Sequence, residues 1–514
     1  MKFNTTHWLH AAKEEYFQPR NHEGAAAYAM SPEMELYSSV VTASFNDRFY
    51  EAGDERMNRL YELITQTDPV FVAKLAIYAR EKMYLRSVPL AMAVLLGFHH
   101  SGDTLVSTTV RRVVQRADEI TELLACYAKI NYRGHTKKLH QLSKQIQKGL
   151  AQAFNKFDEY QFAKYDRKGA VTLRDALFLV HPKAKDEAQQ QLFNKIAQRE
   201  LATPYTWETT LSALGQQTYK SERAKKDAFC RTWEMLISTN ALGYMATLRN
   251  LRNMLAHDVS KAHIKQVCAY LSDEAAVLSS KQLPFRFLAA YRELKSVQHG
   301  MTGMLQEALE TALKISVQHL KGFDANTKVV VACDVSGSMQ QPVSARSKIL
   351  CYDIGLILGM LLQYKSEHVL CGMFGDTWKT ISLSRKNILA NVDEFYRREG
   401  EVGYATNGHK VLEDLIKRKY VADKIMFFTD CQLWDSQREA LGDNQIGAHW
   451  IEYKKIAPRA KLYLFDLGGY GKAPLNIHDK DIHLIGGWSD KVFEVLEALE
   501  KGEDALAHIQ RTTL

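Results

Sequence analysis

The sequence predicts a multidomain chain, an α-solenoid of helical repeats followed by an α/β doubly wound domain. Three observations carry that expectation. The 514 residues favour two to four domains, at roughly 100–200 residues each. Residues 1 to about 320 repeat apolar positions at helical spacing and lack alternating strand patterns. After about residue 322, short apolar runs rich in β-branched residues alternate with helical stretches.

The helical half shows its signals locally. Asp68 can cap a helix and Pro69 suits its first turn, after which Val72, Leu75, Ala76 and Ala79 recur on one face. Leu105 to Tyr127, Lys137 to Phe154 and Arg231 to Arg252 read as further helices. No strict repeat is visible, so the repetition is expected to be structural and degenerate. Gly322 to Thr327 marks the expected boundary, giving domains 1–322 and 323–514.

The second half begins with a strand, Lys328 to Asp334, and a dense apolar helix, Ser347 to Tyr364. Strands His368 to Phe374 and Trp378 to Leu383, helix His409 to Tyr420 and strand Lys424 to Thr429 follow. Lys461 to Asp466 and Asp481 to Ile485 are two more strands, and Ser489 to Glu500 a final helix. Apolar strands alternating with helices predict a mostly parallel sheet covered on both faces.

Composition excludes several classes. With 46% hydrophobic and 25% charged residues, the chain is neither disordered nor fibrous. Its densest apolar run, Ile354 to Leu362, is shorter than the roughly 20 residues of a spanning helix. The first residues lack the apolar core of a signal peptide. Seven cysteines, an odd number with no Cys-x-x-Cys pair, argue against a disulfide framework or a zinc cluster. A cytoplasmic protein with reduced thiols is expected.

Charge is concentrated. Residues 101–300 hold 31 basic against 19 acidic side chains, whereas the flanks are close to balance, at 10 against 12 and 26 against 28. An excess confined to one stretch points to an anionic partner, and nucleic acid is the commonest. Arg111, Arg112 and Arg116, the pair Lys137 and Lys138, and the run Lys164, Arg167 and Lys168 near His181 and Lys183 are the candidate phosphate donors. His181 can stack on a base or donate to a phosphate; it can equally bond the last carbonyls of its helix before Pro182. Solvated helix faces are the alternative for the other cations. Trp207 and Trp233 lie in apolar helical patterns and are expected in the core.

The second half carries a distinct constellation. Asp334, Ser336 and Ser338 follow the first strand, Asp430 ends another, and Thr406 lies in the loop Val402 to Gly408. Ligands in open α/β sheets bind beyond the carboxyl ends of the strands. Carboxylates and hydroxyls without Cys or His suit a hard divalent cation, Mg²⁺ above all. Ser336 and Ser338 can otherwise serve as helix caps. A two-metal nuclease would need more carboxylates clustered around both ions, and no third or fourth acid stands at a matching strand end; nothing in the sequence supports Asp376 or Asp466 in that role.

This pattern resembles the metal-ion-dependent adhesion site of the von Willebrand factor A family, although that family's Thr loop usually opens with paired glycines and this one reads Gly403-Tyr404-Ala405-Thr406. In the helical half, Asn21-His-Glu-Gly24, Tyr28-Ala-Met-Ser-Pro32, Trp207-Glu-Thr-Thr-Leu-Ser212, Trp233-Glu-Met-Leu-Ile237 and Ala246-Thr-Leu-Arg-Asn-Leu251 resemble the TROVE module of Ro, telomerase and vault proteins. Leu173 to Lys183 and Pro284 to Ala290 fit it too. Taken with the second half, the order resembles the Ro ribonucleoprotein family, and the length suits a bacterial Ro-like protein.

The resemblance implies HEAT-like helical repeats closed into a monomeric ring by the A domain. It implies a Y-like noncoding RNA on the basic outer surface, with contacts at Lys164, Lys168 and His181. It implies single-stranded 3′ ends of misfolded or damaged RNA in a central hole, with Arg249 as a candidate contact, and an exoribonuclease partner such as polynucleotide phosphorylase. The function expected is an RNA-binding scaffold in RNA quality control, without chemistry of its own. The competing reading is a metal-dependent interaction module that recruits an acidic partner, with RNA incidental.

Overall fold

The structure is a computed structural model that describes residues 19–42, 53–130, 142–166, 168–320, 323–343, 347–436 and 445–514. Helices run in succession from Pro32–Val41 to Thr302–Ser316, and a six-stranded sheet with its own helices follows. Among the described residues, no helix is long and apolar enough to cross a membrane.

Local chemistry sets the helix starts. Asp68 accepts from the Phe71 amide and Pro69 opens the helix Pro69–Glu81. Thr172 and Asp175 form a reciprocal cap on Leu173–Val180. Two expected helices are each divided. Leu105 to Tyr127 is Leu105–Val113 and Ala117–Ile130, because the buried Glu119 carboxylate accepts the amides of Gln115 and Arg116 and caps the second piece. Arg231 to Arg252 is broken between Glu222–Ser238 and Tyr244–Ala256, where Asn240 takes φ 52°. The expected helix Lys137 to Phe154 is seen as Lys144–Phe154; residues 131–141 lie outside the described residues. That helix lies so close to Leu105–Val113 that a Cβ on Gly149 would sit 2.6 Å from Val110.

The strands are β1 (Tyr28–Ala29), β2 (Lys328–Asp334), β3 (His368–Phe374), β4 (Trp378–Thr380), β5 (Lys424–Thr429), β6 (Lys461–Asp466), β7 (Lys472–Ala473) and β8 (Ile482–Gly486). The large sheet has the order β4-β3-β2-β5-β6-β8, parallel except for β4. Alternate residues feed two cores. Val329, Val331 and Cys333 face the helices Cys351–Lys365 and Val492–Glu500. Val330 and Ala332 face His409–Lys417 and Ile446–Ile456. The helix expected from Ser347 starts at Cys351, because Leu350 pairs with Pro342 in a β-bridge.

The core does not divide at residue 322. Leu36 through Ile196 form one apolar cluster, and Trp233 through Leu320 share a second with the sheet. Trp233 is buried, with the half-buried Trp207 stacked on it at 6.4 Å. The α/β unit touches both ends of the helical chain. At the early end, β1 pairs with β7, and Tyr37 donates to the Gly486 carbonyl at 3.0 Å. At the late end, Arg292 bonds to Asp353. The tail after Gly502 returns to the helical half, where Ile509 is buried in the first cluster and the His508 ring meets those of Tyr37 and Tyr78.

Candidate metal centre and nucleic-acid interface

β2 and β5 are parallel neighbours, so Asp334 and Asp430 emerge side by side at one edge of the sheet. The Gly337 amide donates to the Tyr404 carbonyl at 3.0 Å and holds the Thr406 loop against the serine loop. Gly403 has φ +74°, and a Cβ there would lie 2.3 Å from the Asp376 carboxylate. This single glycine therefore meets the steric demand of the loop, and Tyr404 is exposed.

All five expected ligands are buried on loops at this edge of the sheet. The Ser336 amide donates to Asp334 Oδ1 at 2.9 Å and the Thr429 hydroxyl to Asp334 Oδ2 at 2.6 Å. Ser336 Oγ and Ser338 Oγ lie 3.4 Å apart. Ser336 opens the 3-10 turn Gly337–Gln340 without a side-chain cap bond, which answers the alternative that it serves as a cap. Thr406 donates to the Gln432 carbonyl at 3.0 Å, leaving its oxygen lone pairs for a ligand. Asp430 Oδ1 accepts the Gln432 amide at 3.1 Å.

Electrostatics agree with this geometry. Burial raises the Asp334 pKa to about 6. Burial, and then the charge of Asp334, raise that of Asp430 to about 7, against the lowering effect of the nearby Ser338 hydroxyl and the Gln432 amide. Two buried carboxylates and three hydroxyls form an all-oxygen donor set that fits a small hard cation. The other strand-end acids are committed elsewhere. Asp376 accepts the Ala405 amide at 2.8 Å, and Asp466 accepts the Gly468 and Gly469 amides and the Ser38 hydroxyl.

Sequence reasoning missed Asn21 and Gln432. Asn21 donates to the Leu433 carbonyl at 2.8 Å, and Gln432 accepts the His22 amide at 2.8 Å. The Asn21 segment was visible as a motif, but its partner lies some 410 residues away.

On the helical half, the Arg116 guanidinium stacks 4.3 Å over the Tyr165 ring, and Lys164 lies 5.8 Å from the same ring. This brings two of the expected basic groups together. Lys168, His181 and Lys183 are exposed nearby in the chain. His181 ends its helix in the left-handed region, φ 51°, with its amide on the Leu177 carbonyl. Asn155 donates to the Lys183 carbonyl at 3.1 Å, and Lys156 bonds the Arg111 carbonyl, so Lys183 and Arg111 flank the end of Lys144–Phe154. Exposed Tyr160 and Phe178 add rings, each beneath a cation, Lys164 and Arg174 respectively.

Arg112 is engaged within the protein. It forks onto Glu81 at 2.7 and 2.6 Å and holds the Thr513 carbonyl, so its charge is matched and it ties down the tail. Arg116 is paired with Asp118 as well as stacked. Arg167, Lys137 and Lys138 lie outside the described residues. Arg249 is exposed far along the array, on a cavity of about 480 Å³.

A helical-repeat array with a basic aromatic face, joined at both ends to a parallel α/β sheet with a polar crown, defines a two-part class of protein. Comparison supplies the family. The sequence model of the TROVE domain matches residues 38–231 and 198–302, and the chain belongs to the TROVE domain family. Telomerase protein component 1 of Rattus norvegicus is 24% identical over 335 residues, 51% of this chain and 12% of the rat protein. The Mus musculus protein of that name is 24% identical over 359 residues, 56% of this chain and 13% of its own. The chain thus spans only a small part of those relatives. The crystal structure of the Deinococcus radiodurans RO (RSR) protein shares the fold, with a TM-score of 0.59, covering 92% of this chain and 100% of that one at 17% identity. Membership of the family points to an RNA-binding component of a ribonucleoprotein.

Proposed function

We propose that this chain is the scaffold of a Ro-type ribonucleoprotein and acts in RNA quality control or decay without chemistry of its own. A small Y-like noncoding RNA binds the basic outer surface around Lys164, Lys168, His181 and Lys183, with Arg111 and the stacked Arg116 beside them. The observation that carries this reading is the exposed face on which Lys164 lies by the Tyr160 ring and Arg174 by the Phe178 ring, with Lys168, His181 and Lys183 exposed in the same stretch of chain. Cations provide phosphate contacts and ring faces accept unpaired bases, so the pairing suits RNA better than a bare charge run does.

In this reading the helical array closes into a ring through the α/β unit, and single-stranded ends of misfolded or damaged RNA enter its central hole. Contacts of that unit with both ends of the array support the closure. The RNA then tethers an exoribonuclease. The α/β unit is a von Willebrand factor A-like domain in which Asp334, Ser336, Ser338, Thr406 and Asp430 hold Mg²⁺. The buried, mutually repelling carboxylates of Asp334 and Asp430, with the Ser338 hydroxyl beside Asp430, support a cation there. A bound cation would supply a Lewis-acidic contact for an acidic group.

The experiment is RNA binding by K164E/K168E across a salt series. The double variant is expected to lose salt-sensitive affinity while keeping its fold. Unchanged affinity would remove the site assignment.

A further inference from the structure

The crown of the sheet and the early seam meet in one residue, Gln432. β5 and β6 are parallel neighbours, with Thr429 opposite Asp466. Asp430 follows β5 and belongs to the crown, whereas Asp466, at the end of β6, accepts the hydroxyl of Ser38 from the helix Pro32–Val41. The turn that leaves β5 serves both. The Gln432 amide donates to Asp430 Oδ1 at 3.1 Å, and its carbonyl accepts the Thr406 hydroxyl at 3.0 Å. Its side-chain Oε1 accepts the His22 amide at 2.8 Å, and the next carbonyl, Leu433, accepts Asn21 Nδ2 at 2.8 Å. Asn21, Thr406, Asp430 and Gln432 are all buried. Two expected cation ligands are thus bonded to a residue that the start of the helical half holds in turn.

The turn carries strain. Cys431, between Asp430 and Gln432, has φ 64°, a left-handed conformation that is costly for a residue with a side chain. Such a conformation persists where neighbouring bonds fix it. Here they are the bonds of Gln432 and the Cys431 amide on the Thr429 hydroxyl at 3.2 Å.

The early seam is of a kind that a bound ligand can shift. At the late end, Trp233 through Leu320 share one apolar cluster with the sheet, and parting them would expose a core. The early helices keep a cluster of their own, which Leu506 and Ile509 of the tail enter, while Met30 joins a core of the sheet. Hydrogen bonds cross the seam there, from Tyr37 to the Gly486 carbonyl, Arg56 to that of Gly468 and Arg59 to that of Gly469. Water can replace each of them at modest net cost.

We propose that Gln432 is a positioning residue shared by the cation site and the seam, so that cation occupancy and the docking of residues 19–29 on the sheet reinforce each other. The proposal rests on the reading of the crown as a Mg²⁺ site. Linkage makes the effect reciprocal: the factor by which docking tightens the cation is the factor by which the cation tightens docking.

The test uses the full chain, stripped with chelator. Calorimetric titration gives Mg²⁺ affinity, and hydrogen exchange of residues 20–29 with and without Mg²⁺ reads docking. H22P is compared with H22A. His22 is the second residue of a turn closed by the Gly24 amide on the Asn21 carbonyl at 3.0 Å, a position that suits proline. H22P therefore keeps the turn and removes the amide that Gln432 accepts. H22A keeps that amide, and both variants lose the ring that meets Tyr470. H22P is expected to weaken Mg²⁺ about tenfold, the loss of one buried hydrogen bond, and H22A to bind as the unaltered chain does. N21A loses the bond to Leu433 and should weaken Mg²⁺ in the same direction, which keeps the test open if H22P does not fold. Mg²⁺ should slow exchange at residues 20–29 in the unaltered chain, and D430N should abolish that slowing.

Mg²⁺ affinity unchanged in both H22P and N21A, or exchange at residues 20–29 indifferent to Mg²⁺, overturns the coupling and leaves the cation site standing. Weakening by H22A as large as that by H22P assigns the effect to the ring and overturns the role of Gln432. No Mg²⁺ binding by the unaltered chain removes the cation site, and the coupling with it.

Discussion

Arg292 grips Asp353 through two parallel hydrogen bonds of 2.7 and 2.6 Å, joining the helix Pro284–Lys295 to the first long helix of the α/β unit. Asp353 is fully buried and also accepts the Leu350 amide that starts its own helix. The charge pair is therefore part of the seam between the two units. R292A leaves a buried carboxylate unpaired and is expected to cost about 3–5 kcal/mol. Chemical denaturation measures it. R292M, tested beside it, would lose the same bond while keeping more of the packing.

The crown of the sheet makes a prediction with opposite signs. Asp334 and Asp430 repel each other while buried, so D430N should raise the melting temperature of the metal-free protein. The same change removes a ligand and should abolish stabilisation by Mg²⁺. In the unaltered chain, Mg²⁺ at about 100 times its dissociation constant is expected to add about 2.7 kcal/mol. Melting curves with Mg²⁺ and with chelator give both numbers.

The tail should loosen in acid. Burial holds the His508 pKa down at about 4, against an ordinary 6.5. The unfolded or undocked tail takes up a proton first, so docking is complete above pH 6.5 and weakens as pH falls towards 4. Hydrogen exchange of residues 503–514 at pH 7.5 and pH 5 reads this directly. H508F should flatten the difference.

Arg112 and Lys164 should part company. K164E removes a cation from the proposed RNA face and lowers the salt dependence of RNA binding by about 0.7–0.9 in log–log slope. R112E breaks the fork to Glu81 and the bond to Thr513, so it should free the tail and leave the RNA slope nearly unchanged. Filter binding across a salt series distinguishes the two.

Legibility followed sequence distance. Asp68, Pro69 and the strand-end residues Asp334, Ser336, Ser338 and Asp430 announce themselves, because cap, turn and ligand spacing are local properties. The break at Asn240 was also present in the sequence, in a left-handed Asn followed by Gly243 as the next cap. The break at Val114 was not, since it depends on Glu119, which Arg80 holds in the core at 2.8 Å. The clamp of Asn21 and Gln432 over the crown could not be read, for its halves come from opposite ends of the chain. Nor could the single apolar core that Trp233 to Leu320 share with the sheet, because periodicity shows that a face is buried but not against what.

The most direct measurement is to purify the protein from its native cells at moderate salt and sequence the RNA that comes with it. A discrete, small, structured RNA, released by high salt and lost in K164E/K168E, is the result expected of a Ro-type scaffold. No RNA, or a random sample indifferent to the double variant, would contradict it.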